Sequence, residues 1–173
     1  TANGLAAYLR SIRAIYNKAI KSGVVDEKHY PFKKYTIKTQ PTEKRALDWE
    51  PLKTIISLEL KPDNSLFHAR NYFVASYMMY GMNFTDMAYL KTENIVDGRI
   101  QYRRSKTSKL YDIKITAALQ RILDFYIEQS IDEEFIFPII KRQTVEAQNK
   151  DIEWARKRYN KKLKLLATTC GIE

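Results

Sequence analysis

The feature that most constrains this chain is a change of period between residues 95 and 115. On either side apolar residues recur at helical spacing; within it they alternate. Ile95-Val96 and Arg99–Arg103 flank Asp97-Gly98, a residue pair suited to the two positive φ angles of a type I′ hairpin. Leu110–Ile115 alternates as a third strand, and Ser105–Lys109 is the turn before it. Strands joined by turns this short form an antiparallel meander, because a parallel crossover needs about a dozen residues or more. Strands never alternate with crossover helices. The expected fold class is therefore α+β and mainly α-helical, with helices around a small three-stranded antiparallel meander.

The helical pattern divides around that meander. Residues 3–22 carry Leu5, Tyr8, Leu9, Ile12, Ile15, Tyr16, Ala19 and Ile20 on one stripe, with Gly23 as the stop. So wide an apolar face needs something to pack on. Residues 24–46, interrupted by Pro31 and Pro41, read as a basic linker. A second domain opens at Asp48, an N-cap, with Pro51 in the first turn and Pro62 as the end of its first helix. Helices then follow over about Ser65–Tyr80, with Leu66, Ala69, Phe73, Tyr77 and Tyr80 in phase, and over a short segment capped by Asn83 with Asp86 at the capping-box position. Beyond the strands come a helix over Thr116–Ser130, an apolar extended stretch at Phe135–Ile140 and a long helix over Thr144–Thr168 ended by Gly171. The core positions of that last helix are Ile152, Ala155, Tyr159, Leu163 and Leu166.

Charge narrows the choice of partner. The formal net charge is +10, unevenly placed. Residues 1–46 hold ten Lys/Arg against three acids, residues 47–140 eleven against thirteen, and residues 141–172 nine against three. Base at both ends of a near-neutral middle favours a polyanion, and nucleic acid is the usual one. Cys170 is the single cysteine, which rules out an internal disulfide and fits a reducing, cytoplasmic setting. His29 and His68 are isolated, and no Cys/His pair has metal-ligand spacing, so neither a metal nor a cofactor is expected. No apolar run has membrane-spanning length.

Three segments together resemble the tyrosine recombinase (phage-integrase) family. Tyr80-Gly81-Met82-Asn83-Phe84-Thr85-Asp86-Met87-Ala88-Tyr89-Leu90 matches a family pattern of Gly, apolar, Arg, any residue, Ser/Thr and acid, except that Asn83 stands where the first catalytic arginine belongs. Arg104-Ser105-Lys106-Thr107 lies where the family carries its hairpin lysine. The opening helix with Tyr30-Pro31-Phe32 is similar to the end of the core-binding domain that precedes the catalytic one. The resemblance implies residues 1–23 as the last helix of a SAM-like core-binding domain, 24–46 as linker and 47–173 as the front of the catalytic domain. It also implies truncation before the second catalytic box, the His/Lys-x-x-Arg motif, and before the nucleophilic tyrosine.

The family's chemistry is attack of a tyrosine on a DNA phosphodiester, with arginines clamping the phosphate oxygens and the lysine protonating the leaving 5′-oxygen. The resemblance gives Lys106 that last role. Asn83 supplies no charge. Arg10, Arg13, Lys21, Lys33, Lys34, Lys44, Arg45, Arg103, Arg104, Lys109, Arg156, Lys157 and Lys161 are the expected DNA-backbone contacts. Tyr159 reads as core packing. Duplex DNA and further copies of the recombinase are the expected partners, without a membrane. A non-catalytic DNA-binding relative and a basic helical RNA- or protein-interaction domain are the alternatives. If the domain continues past residue 173, Leu163, Leu165 and Leu166 are expected to form an uncovered apolar surface.

Overall fold

Asp97 and Gly98 take φ angles of +50° and +69°, so both central residues of the turn are left-handed, as a type I′ hairpin requires. Around it β1 (Ile95–Val96) pairs with β2 (Arg99–Arg103), and β2 pairs with β3 (Leu110–Lys114), all antiparallel and in the order β1-β2-β3. Ile100 lies opposite Ile113, and both are fully buried. Tyr102 and Tyr111 are also cross-strand partners, and their rings stack at 5.2 Å. The sheet thus turns one face into the core, and the architecture is the expected α+β arrangement. The computed structural model describes residues 1–42, 46–129 and 134–172. They fall into two compact units, Thr1–Ala46 and Leu47–Glu173.

In the larger unit, α2 (Trp49–Ser57) starts after Asp48 as expected but ends well before Pro62. From Ile56 the chain alternates, with Ile56, Leu58 and Leu60 half-buried and Ser57 and Glu59 exposed. An extended path lets three apolar side chains reach the core, and the helix gives way to it. Next comes α3 (Phe67–Met78), which starts later than Ser65 because Asn64 forms a turn, its Oδ1 accepting from the Leu66 N–H at 2.8 Å. The expected phase of α3 is wrong at its far end, where Tyr77 and Tyr80 are 50% and 76% exposed. Asn71, Tyr72, Val74 and Ala75 are buried instead. This helix packs against three others, α2, α5 (Ala117–Gln129) and α6 (Val145–Thr169), so it has no single apolar face to read. Its polar groups meet α5, with the buried Asn71 amide 3.5 Å and the His68 imidazole 2.9 Å from the Tyr126 hydroxyl.

Of the five expected core positions of α5, Leu119, Ile122, Leu123 and Tyr126 are buried and Ile127 is half-buried against the core. Phe135–Ile140 passes through the core with only Pro138 exposed, and Ile136 N–H donates to the Leu90 carbonyl at 2.8 Å. The start of α6 is held by Asp151, which accepts from the Lys141 N–H at 3.0 Å and from the Arg142 guanidinium at 2.7 Å. That guanidinium also lies over the Trp154 ring, 5.0 Å from its centre. Ile152 and Leu166 are buried and Ala155, Tyr159 and Leu163 half-buried. The expected apolar surface at the end of α6 is therefore not there. Leu166 faces the core and Leu163 packs against it, which leaves Leu165 as the exposed member of the three.

The smaller unit is built on α1 (Ala2–Lys21). Residues 24–42, read from sequence as a linker, run back along this helix. Asn3 and Gln40 exchange two hydrogen bonds of 2.9 Å, Arg13 Nε donates to the Tyr30 hydroxyl at 3.1 Å, and Phe32 packs edge-on to Tyr16. The expected apolar stripe is only partly used, because Leu5, Tyr8, Ile12 and Ile15 are exposed. Among the described residues, no helix is long and apolar enough to cross a membrane.

Candidate nucleic-acid interface

The corner between α3 and α4 (Phe84–Ala88) takes two left-handed residues in succession, Tyr80 at φ +54° and Gly81 at φ +73°. Ser76 pins it by donating to the Met82 carbonyl at 2.7 Å. This delivers Asn83 to the N-cap of α4, where its Oδ1 accepts from the Asp86 N–H at 2.9 Å. The capping box expected from sequence is only half made. Instead of bonding the Asn83 backbone, the Asp86 carboxylate accepts from the Asn83 side-chain amide. Its other oxygen accepts from the Ser105 N–H at 3.2 Å and the Ser105 hydroxyl at 2.6 Å.

Asp86 is 7% exposed. A buried carboxylate needs several donors to offset its lost hydration, and these three supply them. The geometric result is that Asn83 and the turn carrying Lys106 are tied through one side chain. Asp86 also helps hold the Tyr102 hydroxyl above its ordinary pKa, after burial as the main cause.

The turn itself is compact. Arg104 N–H donates to the Lys109 carbonyl at 2.9 Å, Ser108 N–H to the Arg104 carbonyl at 2.8 Å, and Ser108 sits at φ +54°. Lys106 is exposed at the tip and makes no ion pair among the described residues. Arg103, Arg104 and Lys109 gather around it, each lightly held. Arg103 donates to the Ser108 carbonyl, Arg104 is 3.5 Å from the Tyr111 hydroxyl, and the Lys109 ammonium lies 5.5 Å from the Tyr111 ring centre. Four cations therefore share one hairpin end.

The remaining expected contacts are distributed elsewhere. Arg156, Lys157 and Lys161 are exposed on α6, with Lys157 paired to Glu153 at 2.7 Å. In the smaller unit Arg10, Arg13, Lys21, Lys33 and Lys34 are exposed. Lys44 and Arg45 lie outside the described residues. Tyr159 packs as expected, its ring stacked on Phe84 at 4.9 Å. Among the described residues no cluster of three His, Cys, Asp or Glu side chains could hold a metal ion. Sequence reasoning missed Asp86 as the bridge and Ser105 as its partner. The local signal at Asp86, three residues after an N-cap, points only to a cap, whereas Ser105 is nineteen residues away.

No family model matches the sequence, and no curated protein matches it. Solved structures do. A structure of a lambda integrase dimer bound to a COC′ core site, made from residues 75–356, is similar over 91% of this chain and 58% of that one, at 19% identity and a TM-score of 0.58. A lambda integrase tetramer bound to a Holliday junction is similar over 91% and 48%, at 22% identity and a TM-score of 0.55. This chain thus spans about half the length of the chains it matches. At these identities the likeness is one of fold: the α+β arrangement that presents Asn83, Asp86 and Lys106 is shared with lambda integrase.

Proposed function

We propose that this chain is part of a site-specific tyrosine recombinase, an integrase of a mobile element that works on duplex DNA in the cytoplasm together with other copies of itself. Residues 1–23 are then the last helix of the core-binding domain, 24–46 the basic linker and 47–173 the front of the catalytic domain. The observation that carries this reading is the Asp86 tie between the Asn83 corner and the Lys106 turn, within a fold shared with a recombinase solved on DNA. Holding a flexible lysine on an anchored turn is what proton delivery to a leaving 5′-oxygen demands, since the donor must reach the oxygen without searching for it. The cations around Lys106 bind phosphates without reading sequence.

The parent cuts and rejoins DNA through a phosphotyrosyl intermediate. Residues 1–173 contain no His/Lys-x-x-Arg box after Lys106. The chain by itself therefore has no clamp for the phosphate and neither cuts nor joins DNA. One observation favours a second reading, a non-catalytic DNA-binding relative: both ends of the Asn83 amide are engaged, its oxygen in capping α4 and its nitrogen in bonding Asp86.

Duplex binding measured against salt tests the proposal. Neutralising roughly four to eight phosphates gives a log–log slope of about −0.9 for each. Binding that ignores salt, or its absence at low salt, refutes the DNA reading. The same complexes on a suicide substrate should show no covalent adduct on a denaturing gel, and an adduct at any tyrosine of this chain would show that it holds its own nucleophile.

A further inference from the structure

Beside the candidate site, and sharing α4 with it, lies a cavity of about 440 Å³ between α3, α4, α6 and the segment at Pro138–Lys141. Its wall is aromatic. Tyr72, Phe84 and Tyr159 form a three-ring cluster with centres 4.9 to 6.1 Å apart, and Phe84 and Tyr159 are only half-buried. Its lining also holds three cations, Lys141, Arg158 and Lys162. None of them lies within ion-pair distance of a carboxylate among the described residues. His68 adds an imidazole whose pKa partial burial holds below its ordinary value, away from the charged form.

Each half of this lining asks for a different chemistry. Three cations around one cavity, with no carboxylate partner among the described residues, repel one another and are stabilised by an anion. A half-buried aromatic pair is stabilised by a further flat π surface, and a nucleobase stacked on an aromatic side chain contributes about 1–3 kcal/mol. The volume falls within the range of roughly 300–1,000 Å³ that suits one small ligand and is too small for a docked helix. A neutral apolar segment would leave the cations unpaired, and an acidic peptide would leave the rings without a flat partner. We propose that this cavity receives a single unstacked nucleotide of DNA, its base against the Phe84–Tyr159 rings and its phosphate among Lys141, Arg158 and Lys162. The inference rests on the DNA-binding reading above and extends it from the paired backbone to an extruded base.

The experiment compares a fully paired duplex with the same duplex carrying one extra unpaired thymidine, both titrated with the full chain. The bulged duplex should bind about tenfold tighter, within the range one stacked base provides. A 2-aminopurine in place of the bulged base should lose fluorescence on binding. Tyr159→Leu, with its fold checked by circular dichroism, should reduce the preference to about onefold. The surface double variant Arg158→Ala/Lys162→Ala should do the same without touching the core. Both should leave paired-duplex affinity within about twofold. Equal, salt-dependent affinity of the wild-type chain for the two duplexes overturns the pocket while leaving the DNA reading standing. Loss of binding to both overturns the two together. A preference that survives both variants, or one competed away by an acidic peptide but not by thymidine monophosphate, also overturns it.

Discussion

Helices α1 and α6 are alike in sequence and unlike in surroundings. Both are amphipathic and basic, and both end in the same way. Gly23 and Gly171 take φ near +70°, and the residue after each donates back to a carbonyl of the last turn, Val24 to Ala19 at 3.0 Å and Ile172 to Ala167 at 2.9 Å. Yet α1 buries only Ala6, and its Leu5-Tyr8-Ile12-Ile15 row faces outward, whereas α6 buries Ile152 and Leu166 in the main core. A helix's own pattern shows that it wants a partner. It does not show whether the partner lies in the same unit.

The largest effect should separate these helices in stability. Leu166→Ala is expected to cost about 2–5 kcal/mol by urea unfolding, because a fully enclosed side chain leaves a cavity. Ile15→Ala, at a position 68% exposed, should stay within about 0.5 kcal/mol. Similar losses from both would mean that α1 is covered in solution by a surface of the same chain or of another copy.

A middle-sized effect compares the polar ties of the two units. Asp86→Asn weakens charge-assisted bonds to Ser105, worth about 1.5–3 kcal/mol, while Asn3→Ala removes a neutral exposed pair worth about 1 kcal/mol or less. Amide exchange at Ser105 should rise in the first variant more than exchange at Gln40 in the second. The reverse order would mean that the Lys106 turn holds its shape without Asp86.

The smallest effect is a response to acid. The Arg142 guanidinium holds the Asp151 carboxyl below its ordinary value of 3.8. A lowered folded-state pKa stabilises the fold above the ordinary value, and this is lost as pH falls through the lowered one. The Lys141 amide, which donates to Asp151, should therefore shift in an NMR titration below about pH 4. The Gln40 amide, bonded to an asparagine, should not move. Parallel shifts at both would point to global acid unfolding rather than release of this one contact.

What could be read in the sequence was what short-range chemistry decides. Asp97-Gly98 set the hairpin and its register, the glycines set the helix ends, and Asn83 set a cap. The phase of α3 could not be read, since a helix touched on three sides buries residues all around it. Nor could the end of α2, where the pull of the core on Leu58 and Leu60 outweighs local helix propensity before Pro62 can act. The site was legible as two separate motifs. The side chain joining them was not, because that contact exists only after the sheet has packed against α4.

The placement of Trp154 under the Arg142 guanidinium has a spectroscopic consequence. The chain has two tryptophans, Trp49 at the start of α2 and Trp154 on α6, and both are at least half exposed. Intrinsic tryptophan emission therefore reports on the rims of the larger unit and not on its interior. A cation 5.0 Å from the Trp154 ring makes that emission sensitive to the Arg142–Asp151 contact. The interior signal belongs to buried tyrosines such as Tyr72 and Tyr126, whose rings lie 5.7 Å apart. Near-ultraviolet dichroism of those rings should follow the core, while tryptophan fluorescence follows the opening of α6, and the two probes need not coincide.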